Sequence, residues 1–135
     1  MASKPLNIAL WAAQILLALA FGFFGFTKAT GDLAQLSQMM TWIPAVPPAL
    51  VRFIGVAELL GAAGMILPAV TRIRPGLVPL AALGFVTIQV LAIAMHATRG
   101  ETAMTIGLNL PLLALALFVA WGRGRRLPIL ARASA

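Results

Sequence analysis

The sequence predicts an all-α integral membrane protein in which four transmembrane helices form one bundle. Hydrophobic residues make up 61% of the 135 residues, charged residues make up only 10%, and the mean hydropathy is +1.00. A soluble domain carries charge on about a quarter of its residues. Because this chain cannot cover its surface with polar groups, we expect lipid to be its solvent. Its length is sufficient for a single domain, residues 1–135.

Four apolar runs are each long enough to cross the roughly 30 Å hydrocarbon core of a bilayer at about 1.5 Å per residue. The predicted spans are about 6–27, 48–67, 76–96 and 102–121, followed by a basic tail over 122–135. Pro68 is expected to end the second span, since a proline removes a helical hydrogen bond.

The first run has a second interpretation as a signal peptide. Lys4 precedes an apolar stretch that reaches Ala18-Leu19-Ala20, which has the form of a cleavage site. The apolar run continues without interruption to Phe26, so we favour an uncleaved span.

The segment between the first two spans predicts a short amphipathic helix in the first loop, which we expect to be periplasmic. Asp32 is suited to be its N-cap, and apolar residues follow at helical spacing from Leu33 to Ile43. Three prolines that begin at Pro44 stop the pattern. Trp42 is expected at the depth of the lipid headgroups, where tryptophan is enriched. This segment could form a lid over the bundle.

The distribution of basic residues predicts the orientation, because cytoplasmic loops carry an excess of lysine and arginine. Seven basic residues flank one side of the four spans: Lys4, Arg72, Arg74, Arg123, Arg125, Arg126 and Arg132. The other side has Lys28 and Arg99, with Arg52 as a third if its side chain reaches outward. We therefore expect both termini, and the tail, on the cytoplasmic side.

This orientation places the polar side chains of the spans together in the outer half of the bundle. A carboxylate facing lipid costs a few kcal/mol on insertion scales, so Glu58 should face the bundle interior, be neutral, or be paired. The inner half is expected to hold almost nothing polar except Gln14. The candidate ligand-binding residues are Lys28, Arg52, Glu58, Gln89, His96 and Asn109.

Two interpretations of this polar cluster stay open. It can be a structural plug that fixes the register of the four helices, or it can line a pocket that the loop helix closes. Arg52 either reaches outward to water or pairs with Glu58, and Lys28 either anchors its helix at the interface or pairs with Glu58. We interpret the basic tail as a topology signal that contacts lipid headgroups.

Several other functions are disfavoured. The chain has no cysteine, which removes thiolate metal sites and thiol–disulfide relays, and its only histidine is His96. A metal site is therefore not expected. The net charge of +7 lies at the ends of apolar runs instead of on one solvated face, so nucleic acid is not an expected partner. An inner half without a polar path disfavours a channel.

Short motifs recur in the order seen in one known family. They are Trp11-Ala-Ala-Gln14, Gly25-Phe-Thr-Lys28, Arg52-Phe-Ile-Gly55-Val-Ala-Glu58, His96, Gly100-Glu101 and Asn109, followed by the basic tail. In these motifs the chain resembles the DoxX-like family of small four-helix bacterial membrane proteins. The resemblance implies a location in the bacterial cytoplasmic (inner) membrane. Its implications for activity are mixed, since one archaeal relative is a subunit of a thiosulfate:quinone oxidoreductase and an animal relative assists receptor assembly.

Two functions follow as expectations. In the first, the polar cluster binds a lipophilic small molecule, a quinone or a lipid, and the protein serves as the membrane subunit of an oxidoreductase system with a membrane or periplasmic partner. In the second, the protein is a non-catalytic accessory or assembly factor and the cluster is structural. The chain itself shows no cofactor motif, so we do not expect catalysis by this chain alone. Membrane lipids are expected partners, and homo-oligomerisation is left open.

Overall fold

A computed structural model describes residues 3–133 of the chain, and these residues form helices joined by short connections. Four helices are long and apolar enough to cross a membrane, which confirms the predicted fold class of a multi-pass helical membrane protein. The helices are α1 (Ser3–Thr30), α2 (Leu33–Met39), α3 (Pro48–Thr71), α4 (Leu77–Thr98) and α5 (Thr102–Arg126).

The four long helices form a closed ring, in which α1 packs against α3 and α5 while α4 packs against the other sides of α3 and α5. Phe21 and Phe85 stack across the centre with ring centroids 3.9 Å apart. Large apolar side chains such as Leu19 and Leu60 are two-thirds exposed on the outside of the bundle. Such an apolar exterior is expected of helices that face lipid.

The connections between the helices form the two ends of the bundle. The Glu101 end comprises the connections 31–47 and 99–101, and the Arg72 end comprises the connection 72–76 and the tail 127–133. Successive long helices run in opposite directions. Helices α1 and α4 start at the Arg72 end, whereas α3 and α5 start at the Glu101 end.

The close crossing of α1 and α3 depends on two glycines. A Cβ atom added to Gly25 would lie 2.8 Å from the carbonyl oxygen of Gly55, and one added to Gly55 would lie 2.5 Å from the backbone nitrogen of Ala29. Neither position can accept a side chain without separating the two backbones. Small residues at such crossings are the usual means by which membrane helices approach closely.

The prediction that Pro68 ends the second span is wrong, because α3 continues through it to Thr71. Pro68 is buried inside the helix. A proline removes one backbone hydrogen bond, and packing against neighbouring helices allows a membrane helix to continue past it. The helix ends instead where Arg72 adopts a left-handed conformation with φ of 58°.

The first connection contains the predicted helix, but this helix is shorter than predicted. The Asp32 carboxylate caps α2 by accepting a hydrogen bond from the backbone N–H of Ala34 at 3.0 Å. The helix then ends at Met39 instead of Ile43, because Met40 has an extended backbone. This break turns Trp42 into the bundle, where it is 8% exposed. Trp42 therefore faces the interior of the bundle, and its expected depth at the lipid headgroups stays a prediction.

Helix α5 is regular over Leu110–Trp121 and has a π-helical turn on each side, at Thr105–Asn109 and at Gly122–Arg126. A π turn holds an extra residue and so changes the direction of the side chains that follow it. After the second turn the tail folds back, and the backbone N–H of Arg132 donates to the carbonyl of Arg72 at 2.9 Å.

Candidate functional site

A cavity of about 280 Å³ lies between the four long helices in the half of the bundle nearest the Glu101 end. Its walls are mostly apolar side chains, and α2 and the connection after it contribute to them. Five of the six predicted site residues line this cavity: Lys28, Glu58, Gln89, His96 and Asn109. The described residues therefore hold an open space where the sequence predicted either a plug or a pocket.

Lys28 and Glu58 form an ion pair between α1 and α3. The Lys28 Nζ atom lies 2.8 Å from Glu58 Oε1, and both side chains are buried. Nζ also lies 5.7 Å from the ring centroid of Phe24 and 5.8 Å from that of Trp42, within the range of cation–π attraction. The two charges neutralise each other inside the bundle. Of the alternatives for Lys28, pairing with Glu58 is the one present.

Arg52 does not line the cavity. It lies six residues before Glu58, on a different face of α3, and it is half-buried. Its Nη1 donates to the backbone carbonyl of Lys28 at 3.1 Å. Arg52 thus holds the last turn of α1 against the start of α3 and is a neighbour of the ion pair, not part of it.

Gln89 and Asn109 meet across the interface of α4 and α5. Asn109 Nδ2 donates to Gln89 Oε1 at 2.8 Å, and both residues are buried. Asn109 Oδ1 is also buried, and it has no hydrogen-bond partner among residues 3–133. A buried acceptor without a partner costs about 1–3 kcal/mol, so such atoms commonly mark the place of a water molecule or a ligand.

His96 connects the cavity wall to the outer surface at the Glu101 end. Its Nδ1 lies 2.8 Å from Glu101 Oε2, and the other oxygen of Glu101 accepts a hydrogen bond from Arg99 Nε. Arg99 in turn donates through Nη2 to the carbonyl of Thr41 at 3.1 Å. The side-chain hydrogen bonds of Arg99 and then of His96 lower the pKa of Glu101 below its ordinary 4.5, because they stabilise the carboxylate. This network ties the first connection to the α4–α5 turn.

The sequence reasoning did not identify the apolar wall that the first connection supplies. Trp42 and four methionines line the cavity: Met39, Met40, Met95 and Met104. Methionine is flexible and polarizable, and it is common at surfaces that adapt to different ligands. These methionines are visible in the sequence, in the first connection and at the facing ends of α4 and α5. That they share one cavity wall depends on the change of backbone direction at Met40, which the sequence pattern does not show.

The cavity reaches the outer surface of the bundle on its apolar side. Two of its wall residues, Met39 and Leu91, are 69% and 66% exposed. Leu91 belongs to the spanning helix α4, so this opening faces the region of the lipid chains.

The opposite half of the bundle is not featureless, and the expectation that it holds almost nothing polar except Gln14 is wrong. The Gln14 side chain donates through Nε2 to the carbonyl of Met65 at 2.7 Å and accepts at 2.7 Å from Nε of Arg123. Arg123 is 3% exposed. Its assignment to a lipid-contacting tail fails because α5 continues through the π turn to Arg126.

In chemical terms the cavity offers an apolar chamber with a neutral, hydrogen-bonding floor. The available polar groups are one internally balanced ion pair, two amides and one imidazole. Among residues 3–133, no group of three or more histidine, aspartate or glutamate side chains is placed to hold a metal ion. Such a chamber suits a small uncharged polar group attached to an apolar body.

Comparison with known proteins gives one result. No curated protein and no solved structure matches the chain at a significant level. The sequence profile of the DoxX-like family matches residues 12–119. This match covers most of the chain, reaches into all four spanning helices and includes every residue of the cavity described above. The chain belongs to the DoxX-like family.

Proposed function

We propose that this DoxX-like membrane protein binds a lipophilic small molecule whose uncharged polar head enters the cavity at the Glu101 end, and that a quinone or its quinol is the best-suited ligand. The observation that carries the proposal is the orphaned acceptor Asn109 Oδ1, buried among residues that line an apolar cavity. Folding alone does not satisfy this atom, and a hydroxyl group donating to it would.

The charge balance of the cavity favours a neutral head. Lys28 and Glu58 lie 2.8 Å apart and neutralise each other, so no net charge remains to attract an anion. Bringing a phosphate or a carboxylate next to this pair would require its desolvation without a counter-charge. A quinol hydroxyl or a quinone carbonyl needs only hydrogen bonds.

In this proposal two polar groups of the cavity wall hold the head. Asn109 Oδ1 accepts from a hydroxyl, and its neighbour Gln89 fixes the orientation of the amide. His96 uses Nδ1 toward Glu101, which leaves Nε2 on the far side of the ring for the ligand. Two directional contacts would orient a planar ring in the chamber.

The size and the opening of the cavity support an amphiphile that is only partly enclosed. A volume of about 280 Å³ lies at the lower end of the range for small-molecule sites, enough for a head group but not for a long chain. Leu91 is both a wall residue of the cavity and exposed on the outside of the bundle, and an isoprenoid or acyl tail would leave the cavity on that side and remain in the bilayer.

The setting of this binding activity is also part of the proposal. The excess of basic residues at the Arg72 end supports an orientation in which that end and both termini lie on the cytoplasmic side of a bacterial inner membrane. The cavity would then lie in the outer half of the bilayer. An oxidoreductase that acts on the bound quinol from the periplasmic side would be the partner, and it would supply the electron carrier.

Mass spectrometry of protein purified from native membranes tests the proposal. Ala92 lines the cavity, whereas Ala94 on the same helix is exposed and does not. We expect a neutral quinone-type lipid to co-purify with the wild type and with Ala94→Phe, and to be lost from Ala92→Phe, in which the added ring fills the chamber. Equal lipid content in all three folded proteins would contradict ligand binding and favour the accessory-factor role.

A further inference from the structure

Arg123 is a buried cation without a carboxylate partner. Its guanidinium has five N–H donors, of which Nε donates to Gln14 Oε1 at 2.7 Å and Nη1 donates to the carbonyl of Leu127 at 3.1 Å. Its Nη2 is buried and has no hydrogen-bond partner among residues 3–133. Both acceptors are neutral, so the positive charge is solvated in part but not balanced.

No side chain of this protein can supply the missing negative charge at the Arg72 end. The chain has three acidic residues, Asp32, Glu58 and Glu101, and all three belong to the other half of the bundle. A buried charge is normally paired or coordinated, because its transfer out of water is strongly unfavourable. The balancing anion must therefore come from outside these side chains.

A place for that anion adjoins Arg123. A pocket of about 550 Å³ opens at the Arg72 end, and its walls include Lys4, Asn7, Trp11, Arg72 and Arg123. Three of these five side chains are cationic and one is an amide donor. The indole ring of Trp11 lies 5.8 Å from Cζ of Arg123 and forms the apolar side of the guanidinium's surroundings.

The fold builds this pocket from distant parts of the chain. Gly122 has no side chain to collide with Leu10, so α5 comes close enough to α1 for Arg123 to reach Gln14. The π turn at Gly122–Arg126 then directs the tail across the pocket, and Arg132 fastens it to the carbonyl of Arg72 at 2.9 Å.

We propose that the pocket at the Arg72 end is a binding site for a phosphate group, with Arg123 as its buried anchor and Lys4 and Arg72 as flanking cations. Arginine recognises phosphate oxygens through paired charge-assisted hydrogen bonds, and three N–H groups remain for them, two on Nη2 and one on Nη1. The site differs in chemistry from the neutral cavity at the other end.

The phosphate can be carried by an anionic phospholipid or by a small soluble molecule, and the position of the pocket is compatible with both. Lys4 lies in the first turn of α1, Arg72 caps α3, and Arg123 lies in the last turn of α5. All three are therefore at the end of a spanning helix, at the level where headgroup phosphates meet water.

The test compares two arginines of the same turn. Arg125 is exposed and does not line the pocket, so Arg125→Gln removes the same charge as Arg123→Gln without touching the site. Purified protein is placed in phosphate-free maltoside micelles with or without added phosphatidylglycerol, and in the same micelles with inorganic phosphate or with chloride at equal ionic strength. Thermal unfolding and native mass spectrometry report binding.

We expect the wild type and Arg125→Gln to be stabilised by one of the two phosphate sources and to retain it preferentially. Arg123→Gln should lose this preference by about fivefold or more, the effect of one cation near a headgroup. Stabilisation by phosphatidylglycerol alone identifies a lipid, and stabilisation by inorganic phosphate identifies a soluble ligand.

If Arg123→Gln does not fold, Arg72→Gln takes its place, because Arg72 is exposed and its side chain bears no structural contact named above. It should weaken retention in the same direction. The proposal is overturned if neither phosphate source stabilises the wild type beyond its control, or if Arg125→Gln weakens binding as much as Arg123→Gln and Arg72→Gln do.

Discussion

The two ends of the bundle each bury one cation, and they treat it in opposite ways. At the Glu101 end, Lys28 lies 2.8 Å from the carboxylate of Glu58 and close to two aromatic rings. At the Arg72 end, Arg123 is held by the amide oxygen of Gln14 and a backbone carbonyl, with one nitrogen left without a partner among residues 3–133. One charge is balanced from within the fold, and the other is not.

This difference indicates what each end can bind. A balanced pair next to an apolar cavity leaves only hydrogen-bonding groups for a ligand, which favours a neutral head. An unbalanced cation next to a pocket with two further cations favours an anion. We therefore propose two chemically distinct sites in the same small helical bundle, and the following substitutions test whether their electrostatics differ.

The largest effect is expected from breaking the ion pair. Lys28→Met leaves the Glu58 carboxylate unpaired in the interior, and Glu58→Leu leaves the Lys28 ammonium group unpaired. Each should lower the free energy of unfolding by about 3–5 kcal/mol. The double variant Lys28→Met/Glu58→Leu removes both charges and should recover most of that loss. Unfolding in mixed detergent micelles, followed by tryptophan fluorescence, measures the three values. Additive losses in the double variant would show that the two residues act independently.

A smaller loss is expected at the other end. Gln14→Leu removes the acceptor of Arg123 Nε, and a hydrogen bond to a charged group contributes about 1.5–3 kcal/mol. Because Arg123 has no carboxylate, the loss should be partly restored by Gln14→Leu/Arg123→Leu, which removes the cation as well. The same unfolding measurement applies. A loss as large as that of the Lys28 variants would contradict the contrast between the two ends.

The glycine crossing of α1 and α3 positions the ion pair, and its disruption should have an effect of about 1–3 kcal/mol. Gly55→Ala places a methyl group 2.5 Å from the backbone nitrogen of Ala29 and forces the helices apart. Gly84→Ala is the matched control, since an added Cβ there meets no atom within 4 Å. The control should be neutral or slightly stabilising, as alanine favours helix. Equal melting temperatures of both variants would contradict the close-contact account.

The smallest effect concerns pH at the outer edge of the cavity. Hydrogen bonds from Arg99 and His96 hold the pKa of Glu101 below its ordinary 4.5 in the folded protein. The carboxylate therefore contributes stability above pH 4.5, and that contribution is lost as the pH falls through the lowered pKa. We expect the difference in melting temperature between wild type and Glu101→Gln to be constant from pH 7 to about 5 and to shrink below pH 4.5. A difference that grows on acidification would reverse the sign and contradict the assignment.

Much of the fold and of the cavity could be predicted from the sequence because membrane helices impose a simple geometry. An apolar run must span the bilayer, so its direction fixes the depth of each polar residue along it. That reasoning brought Glu58, Gln89, His96 and Asn109 into the same half of the bundle, and in the structure all four line one cavity. It could not choose the partner of Glu58, since the approach of Lys28 depends on the crossing at Gly25 and Gly55.

Two side chains that were not expected inside the bundle turn into it for the same physical reason. Trp42 turns inward because the backbone extends at Met40, and Arg123 turns inward because α5 adds a π turn after Trp121. Both are changes of backbone direction at the end of a helix, which the spacing of apolar residues does not encode. A basic residue beyond such a turn looks the same in sequence whether it contacts lipid or the interior of the bundle.

Binding of a quinone-type head in the cavity is tested most simply by titrating the protein with a short-chain benzoquinol and following the fluorescence of Trp42. Trp11→Phe/Trp121→Phe leaves Trp42, a wall residue of the cavity, as the only tryptophan. We expect the quinol to quench the Trp42 fluorescence in a saturable way. Ala92→Phe should abolish this quenching because it fills the cavity, and Asn109→Leu should weaken binding about tenfold because it removes the orphaned acceptor. Quenching that does not saturate, or that is unchanged in both variants, would contradict binding in the cavity.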